Sequence, residues 1–363
     1  MSWRSILVSV VLICLLTSGP ALAEDGPEVH RAVVVRVRQA QGIADLPVWA
    51  QGAGVQEVTL RFLTGPLRGQ ELTIRHHLSG NPAFDLQLEE GHRVLVGVER
   101  QGGEVVDVYV MDFVRDVPLF WMTGLFVLSL AAVGRLKGVR AVIVLGLTGL
   151  AIIHLLIPLV LAGRNPMAVT IGICAGVVVL SLPFIAGLSR KTLAAGVGTV
   201  SGLLTAGFLA ALFGRLANLQ GLGTEEAQML HFIPNLEIDF RGLLFSGMIL
   251  GALGAIMDIA MSIASAVEEV RRATEQASFR HLVQSGLNVG RDVLGTMANT
   301  LILAYAGGAL PLLLLLSAHQ VSTVKVLNLD IIATEIVRAL SGSIGLVLCV
   351  PVTAAVAAYL NRG

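Results

Sequence analysis

The chain has 363 residues, 55% of them hydrophobic and only 14% charged, with 25 basic side chains against 25 acidic ones. Soluble domains carry roughly 25% charged residues, so this composition, with a mean hydropathy of +0.79, excludes an ordinary soluble protein. The zero charge balance gives no electrostatic footprint for nucleic acid, and the long apolar runs define a polytopic α-helical membrane protein.

The opening segment, MSWRSILVSVVLICLLTSGPALAEDG, has an early arginine, an apolar core over 6–16 and Ala21-Leu22-Ala23 before Glu24. It reads as a secretory signal over 1–23 with a small-x-small cleavage site, or as an uncleaved first membrane helix. In either case residues after Ala23 begin outside the cytoplasm. Cys14 follows Ile13, too large a residue for a lipidation motif. Cys174 and Cys349 also lie in apolar segments, far apart, so no disulfide framework or metal-type spacing is present.

Residues 24–112 form the one extended soluble stretch, and the pattern there alternates with period two. VVVRVR (33–38), VTLRF (58–62), LTIRHH (72–77), VLVGV (94–98) and VVDVYV (105–110) each put apolar residues on one side. Gly65-Pro66, Gly80-Asn81-Pro82 and Gly102-Gly103 separate them. Five short strands predict a small β-barrel-like domain of OB or SH3 type. His76 and His77 are adjacent, so on a strand they face opposite sides and make no paired ligand.

From 113 to 363 the chain reads as membrane, with about seven helices near 117–134, 139–162, 166–187, 192–213, 241–266, 286–316 and 331–359. The sixth is long enough to overrun a bilayer or to break near Gly307-Gly308 and Pro311. An outside start puts Arg135, Lys137, Arg140, Arg190, Lys191, Arg271, Arg272, Arg280 and Arg362 in the cytoplasm. The opposite loops hold only Arg164, Arg215, Arg241 and Lys325, so the basic excess lies on the inside, where the chain also ends. The acidic 214–240 loop reads as an interfacial helix anchored by Phe232 and Phe240.

The chemistry concentrates in the last helices. At about 100° per residue, Gly251, Gly254, Asp258, Ser262, Ser265 and Glu269 share one helix face in GALGAIMDIAMSIASAVEE. A charge at bilayer depth costs several kcal/mol and normally faces the bundle interior. Glycines on that face admit a close neighbour, so Asp258 is expected to be buried against another helix. On the next helix Asn288, Asp292, Gly295 and Asn299 share a face, flanked by Arg291 and Thr296. Antiparallel packing then puts Asp258 at the depth of Asn299, and Glu269 near Asn288 and Asp292. Carboxylates and amide oxygens so placed can relay a proton, bind a hard cation, or simply fix helix packing. Glu335 and Arg338 stand i,i+3 apart near the start of the last helix and are secondary candidates, with Ser262 and Arg291. His154 is isolated and reads as structural.

Enzyme readings do poorly. No Gly-rich phosphate loop, HExxH or nucleophile elbow is present. Asp258 and Asp292 lack the YD or GxGD flanks of an intramembrane aspartyl protease. No cofactor is called for, and no metal can be named.

DFVRDVPL (112–119), MDIAMSIASAVEEV (257–270), SGLNVGRDVLGTMANTLILAYAGGALPLLLL (285–315) and EIVRALSGSIGLVLCVPVTA (335–354) resemble the YibE/F-like family of bacterial multi-pass membrane proteins. The resemblance covers nearly everything after residue 23. It implies a bacterial inner membrane and a β-rich extracytoplasmic domain, but no defined activity. The last three helices also resemble the second half of the RND-type membrane domain of the SecD and SecF translocation proteins. There an intramembrane aspartate, matching Asp258 by position, is tied to proton-driven work. The helix count and the small soluble domain depart from that pattern.

The expectation is an integral membrane transporter, coupled to protons or a small cation through Asp258, Asn288, Asp292, Asn299 and Glu269. The alternative is a non-transporting assembly or secretion factor whose extracytoplasmic domain binds an envelope protein. Partners under either are the lipid bilayer and a second copy or envelope protein, not nucleic acid.

Overall fold

The computed structural model describes residues 27–39, 53–101, 104–274, 277–319 and 322–362. The signal segment, Cys14 and the Gly102-Gly103 turn lie outside these residues. The chain divides into two compact units at Leu130/Ala131, inside the first helix.

The first unit carries strands β1 (Glu28–Gln39), β2 (Ala53–Phe62), β3 (Glu71–Ser79), β4 (Arg93–Gln101) and β5 (Glu104–Phe113). The sheet order is β3-β2-β1-β4-β5, antiparallel throughout. The two outer strands approach each other, so the sheet curls into a nearly closed barrel. Alternation does what period two requires: Ala32, Val34, Val58, Leu60, Phe62, Val94, Val96 and Val98 fill the interior. The register breaks between Val34 and Arg36 and between Leu95 and Val96, and such bulges add the bend that closure needs. His76 is half-buried and its Nε2 lies 2.9 Å from the Leu86 carbonyl, whereas His77 is exposed, the opposed sides expected of neighbours on a strand. Buried Gln56 clamps the 80–92 loop: its Oε1 accepts the Leu88 N–H at 3.1 Å and its Nε2 donates to the Leu88 carbonyl at 3.3 Å. At the exit of the barrel Asp112 accepts from Arg115 and from the Phe113 N–H, which together hold its carboxyl below the usual carboxylate range.

The helices are α1 (Asp116–Ala151), continued by a π turn (Ile152–Leu156) into α2 (Ile157–Leu161), then α3 (Pro166–Ala186) and α4 (Arg190–Leu216). They are followed by α5 (Glu225–His231), α6 (Phe240–Ala273), α7 (Phe279–Gly308), α8 (Leu310–Ala318), α9 (Thr323–Leu327) and α10 (Asp330–Leu360). Side-chain caps set several starts. The Asn165 carboxamide accepts from Ala168 N–H, the Ser189 hydroxyl from Thr192, the Asp239 carboxylate from Gly242 and the Ser278 hydroxyl from His281.

Among the described residues five helical runs are long and apolar enough to cross a bilayer, and the pair α7–α8, bent by 60°, makes a sixth. The first two expected helices lie end to end in the 46-residue run Asp116–Leu161, as two helices joined across a kink at Arg135. Arg135 itself is non-helical, at φ 49° and ψ −132°, where the sequence places a boundary. One correction concerns the charged 268–284 stretch, expected as a connection. It is mostly helix, since α6 runs on to Ala273 and α7 starts at Phe279. Ion pairs support the extension: Glu268 binds Arg272 one turn on at 3.1 Å, and Lys191 of α4 at 3.2 Å.

In the helical unit, α4, α6 and α10 pack on one another, with α7 against α6 and α10 and α3 against α4 and α6. The core is the stripe Ile249, Ala252, Ile256, Ile259, Ala260, Ile263, Ala264 and Val267 of α6 with its partners on α4 and α10. The α4–α10 crossing is backbone on backbone. A Cβ on Gly202 would stand 2.9 Å from the Gly345 carbonyl oxygen, and one on Gly345 2.6 Å from that of Gly202. Cys174 and Cys349 are buried, unpaired packing residues of this core.

Candidate functional site

Glycine contacts fix the register of α6 on α7. Gly286 and Gly290 of α7 lie against Ile263, Gly286 also against Val267, while Tyr305 near the far end of α7 reaches Gly251. The helices are therefore antiparallel. Interpolation between these contacts puts Asp258 level with about 295–296, roughly one turn short of Asn299. Glu269 falls beyond Gly286, toward the connection. It binds Arg272 at 3.4 Å rather than approaching Asn288 and Asp292, a correction that follows from where α7 begins.

The expected burial of Asp258 is also corrected. Asp258, Ser262, Glu269, Asn288, Arg291, Asp292 and Asn299 are all exposed. The reason is rotational. The core claims the Ile/Ala stripe of α6 and the Gly286–Gly290 side of α7, so the polar side of each is turned out. Of the glycines on this side of the helix, Gly251 meets Tyr305, while a Cβ at Gly247 or Gly254 would meet nothing within 4 Å. Hydrogen bonds here stay within each helix: Asn288 Oδ1 accepts from Gln284 and Arg291, both at 3.3 Å, and the Ser262 hydroxyl donates to the Asp258 carbonyl at 2.9 Å. Among the described residues the carboxylates of Asp258 and Asp292 have no hydrogen bond or ion pair. Nor do three His, Cys, Asp or Glu residues there stand close enough together to hold a metal ion.

Glu335 and Arg338 are brought together. Arg338 Nη1 donates to Glu335 Oε1 at 2.8 Å, with both side chains about three-quarters buried (26% and 25% exposed). The guanidinium carbon sits 6.0 Å from the Tyr305 ring centroid. The Tyr305 hydroxyl and Arg338 Nε are buried without a hydrogen-bond partner. A pocket of about 270 Å³ opens here, lined also by Gly308, Ala309 and Leu312 at the break between α7 and α8. Sequence reasoning missed Tyr305. Its one legible signal is the Gly307-Gly308 and Pro311 interruption that follows it. His154 stands apart from both groups, its Nδ1 3.3 Å from the Leu150 carbonyl within the π turn.

These features define a class: a multi-pass membrane protein with long apolar helices, one of them broken, and a small β-barrel unit ahead of them. The YibE/F-like protein model matches residues 122–363 and the YibE/F family N-terminal domain matches residues 50–113. The chain belongs to the YibE/F-like family. No curated protein and no solved structure was found to match it.

Proposed function

We propose that this protein is an integral membrane transporter coupled to protons or a small cation, with Asp258, Asp292, Asn288 and Asn299 as the coupling groups. One observation carries the reading. Two carboxylates and two amides lie on adjacent antiparallel membrane helices, and no group among the described residues satisfies the carboxylates. Lipid tails cannot solvate them, and a charge at the bilayer centre costs at least about 3 kcal/mol. The face is therefore covered by water, an ion or another polypeptide when the protein works. Water and an ion are what a coupled transporter brings to such groups; Glu269, paired with Arg272, lies outside this set.

The topology that goes with this reading counts the Asp116–Leu161 run as two spans divided at Arg135, giving seven. It places the barrel outside the cytoplasm of a bacterial inner membrane, Gly138 and the C-terminus inside, and α5 on the outer membrane surface. We read the barrel as OB-type, since β1 pairs with both β2 and β4 while β3 meets β5. The openness of the Asp258 face supports the second reading, a non-transporting assembly or secretion factor that packs a second copy or an envelope protein there.

The test is Asp258→Asn, with Asp292→Asn beside it. Asparagine keeps shape and hydrogen bonding but neither titrates nor carries charge. Transport predicts a protein that expresses and melts like wild type in detergent but has lost proton or cation flux in liposomes. Full flux with asparagine at both positions would remove the support for transport and leave the assembly reading.

A further inference from the structure

We infer that the pocket at the α7–α8 break binds a small zwitterionic group, an anionic oxygen cluster joined to a primary ammonium, as in a phosphoethanolamine headgroup. The argument starts from open valences. Arginine has five N–H donors and a carboxylate two acceptor oxygens. The Glu335–Arg338 pair makes a single hydrogen bond, Nη1 to Oε1. Arg338 Nε is buried and has no acceptor among the described residues, and Glu335 Oε2 has no donor. Partly buried charged groups seldom leave so much unmade, because each missing partner costs about 1–3 kcal/mol.

Charge decides the class of ligand. The pair is neutral in sum, so a lone anion must compete with Glu335 for the guanidinium, and a lone cation with Arg338 for the carboxylate. A zwitterion laid head to tail along the pair answers both without breaking it. The Tyr305 ring beside the guanidinium restrains Arg338 from one side. The first turn of α8, which contributes Ala309 and Leu312 to the lining, adds the positive end of a helix dipole. A pocket of about 270 Å³ is of headgroup size. Leu310, Leu313 and Leu314 of α8 are exposed beside it and offer an apolar wall for acyl chains. The same chemistry reaches the pocket either on a bilayer lipid or as a free small molecule. The inference stands independently of the transport reading, since it uses none of Asp258, Asp292, Asn288 and Asn299.

The experiment uses the full chain purified in detergent. Native mass spectrometry compares retention of phosphatidylethanolamine, phosphatidylcholine and phosphatidylglycerol; a parallel melt is run with water-soluble O-phosphoethanolamine. The choline headgroup keeps the phosphate but has no N–H to donate, and the glycerol headgroup has no cation. Phosphatidylethanolamine is expected to be retained roughly tenfold or more over both, the effect of one charge-assisted hydrogen bond. Glu335→Gln should erase the preference over phosphatidylcholine. A raised melting temperature with O-phosphoethanolamine as well identifies a free ligand; lipid preference without it identifies a headgroup. Equal retention of the three lipids with no effect of O-phosphoethanolamine overturns the inference, as does a preference for phosphatidylglycerol. The lipid comparison on the unaltered protein decides the matter even if Glu335→Gln fails to fold.

Discussion

Replacing Gly345 by valine tests the α4–α10 crossing on which the helical unit is built. A Cβ at this position would lie 2.6 Å from the Gly202 carbonyl oxygen and 2.8 Å from the Ala206 Cβ. Ordinary contact begins near 3.4 Å, so the two helices must part by about 0.8 Å. Both obstacles are backbone or the root of a side chain, so no rotamer change relieves them. If the crossing holds roughly forty atom pairs at ~0.1–0.2 kcal/mol each, it is worth roughly 4–8 kcal/mol, and a gap of 0.5–1 Å forfeits a quarter to a half of that. The expected loss is roughly 1–4 kcal/mol, before the extra methyls of valine are placed. Gly254→Val is the matched control: it carries the same change in helix propensity, but a Cβ there meets nothing within 4 Å. Thermal unfolding in one detergent should show Gly345→Val melting well below wild type and Gly254→Val close to it. Equal melting of the two variants would refute the seam as a determinant of stability.

Gln56→Leu keeps side-chain bulk but strands the buried N–H and C=O of Leu88, at roughly 1–3 kcal/mol each. Hydrogen exchange at Leu88 should accelerate by more than tenfold, and unchanged protection would mean that the 80–92 loop is held by other contacts. For the topology, single cysteines at the exposed positions Asn81 and Lys137 should react with an impermeant thiol reagent from opposite sides of the membrane. Reaction of both from one side contradicts the assignment.

The strands were legible because a half-buried strand writes its faces into the sequence. Each of the five alternating segments lies within an observed strand, and their apolar positions fill the barrel. The curl of that sheet was not legible, since alternation specifies which side is inward and says nothing about which strands meet. In the helical unit, periodicity grouped Gly251, Gly254, Asp258 and Ser262 correctly on one face. What opposes a face is a different question. Gly251 and Gly254 are chemically the same, yet one is covered by Tyr305 and the other by nothing. Burial of Asp258 was expected because a carboxylate avoids lipid, and that reasoning overlooked how strongly the Ile/Ala stripe on the other side competes for the core. The break near Pro311 was readable as an interruption, but its consequence, a pocket shared by Tyr305, Glu335 and Arg338, needs the bend of 60° that only the packed structure supplies.

The glycine seam has a mechanical meaning. Side chains that interdigitate can exchange rotamers and let two helices slide by small steps. Where backbone rests on backbone there is no rotamer to readjust, so the two helices can part only by moving whole. The pair α4–α10, with α6 wedged against both through Ile256, is therefore the tightest-packed part of the helical unit. The bend at Ala309 turns α8 by 60° away from α7, outside that seam.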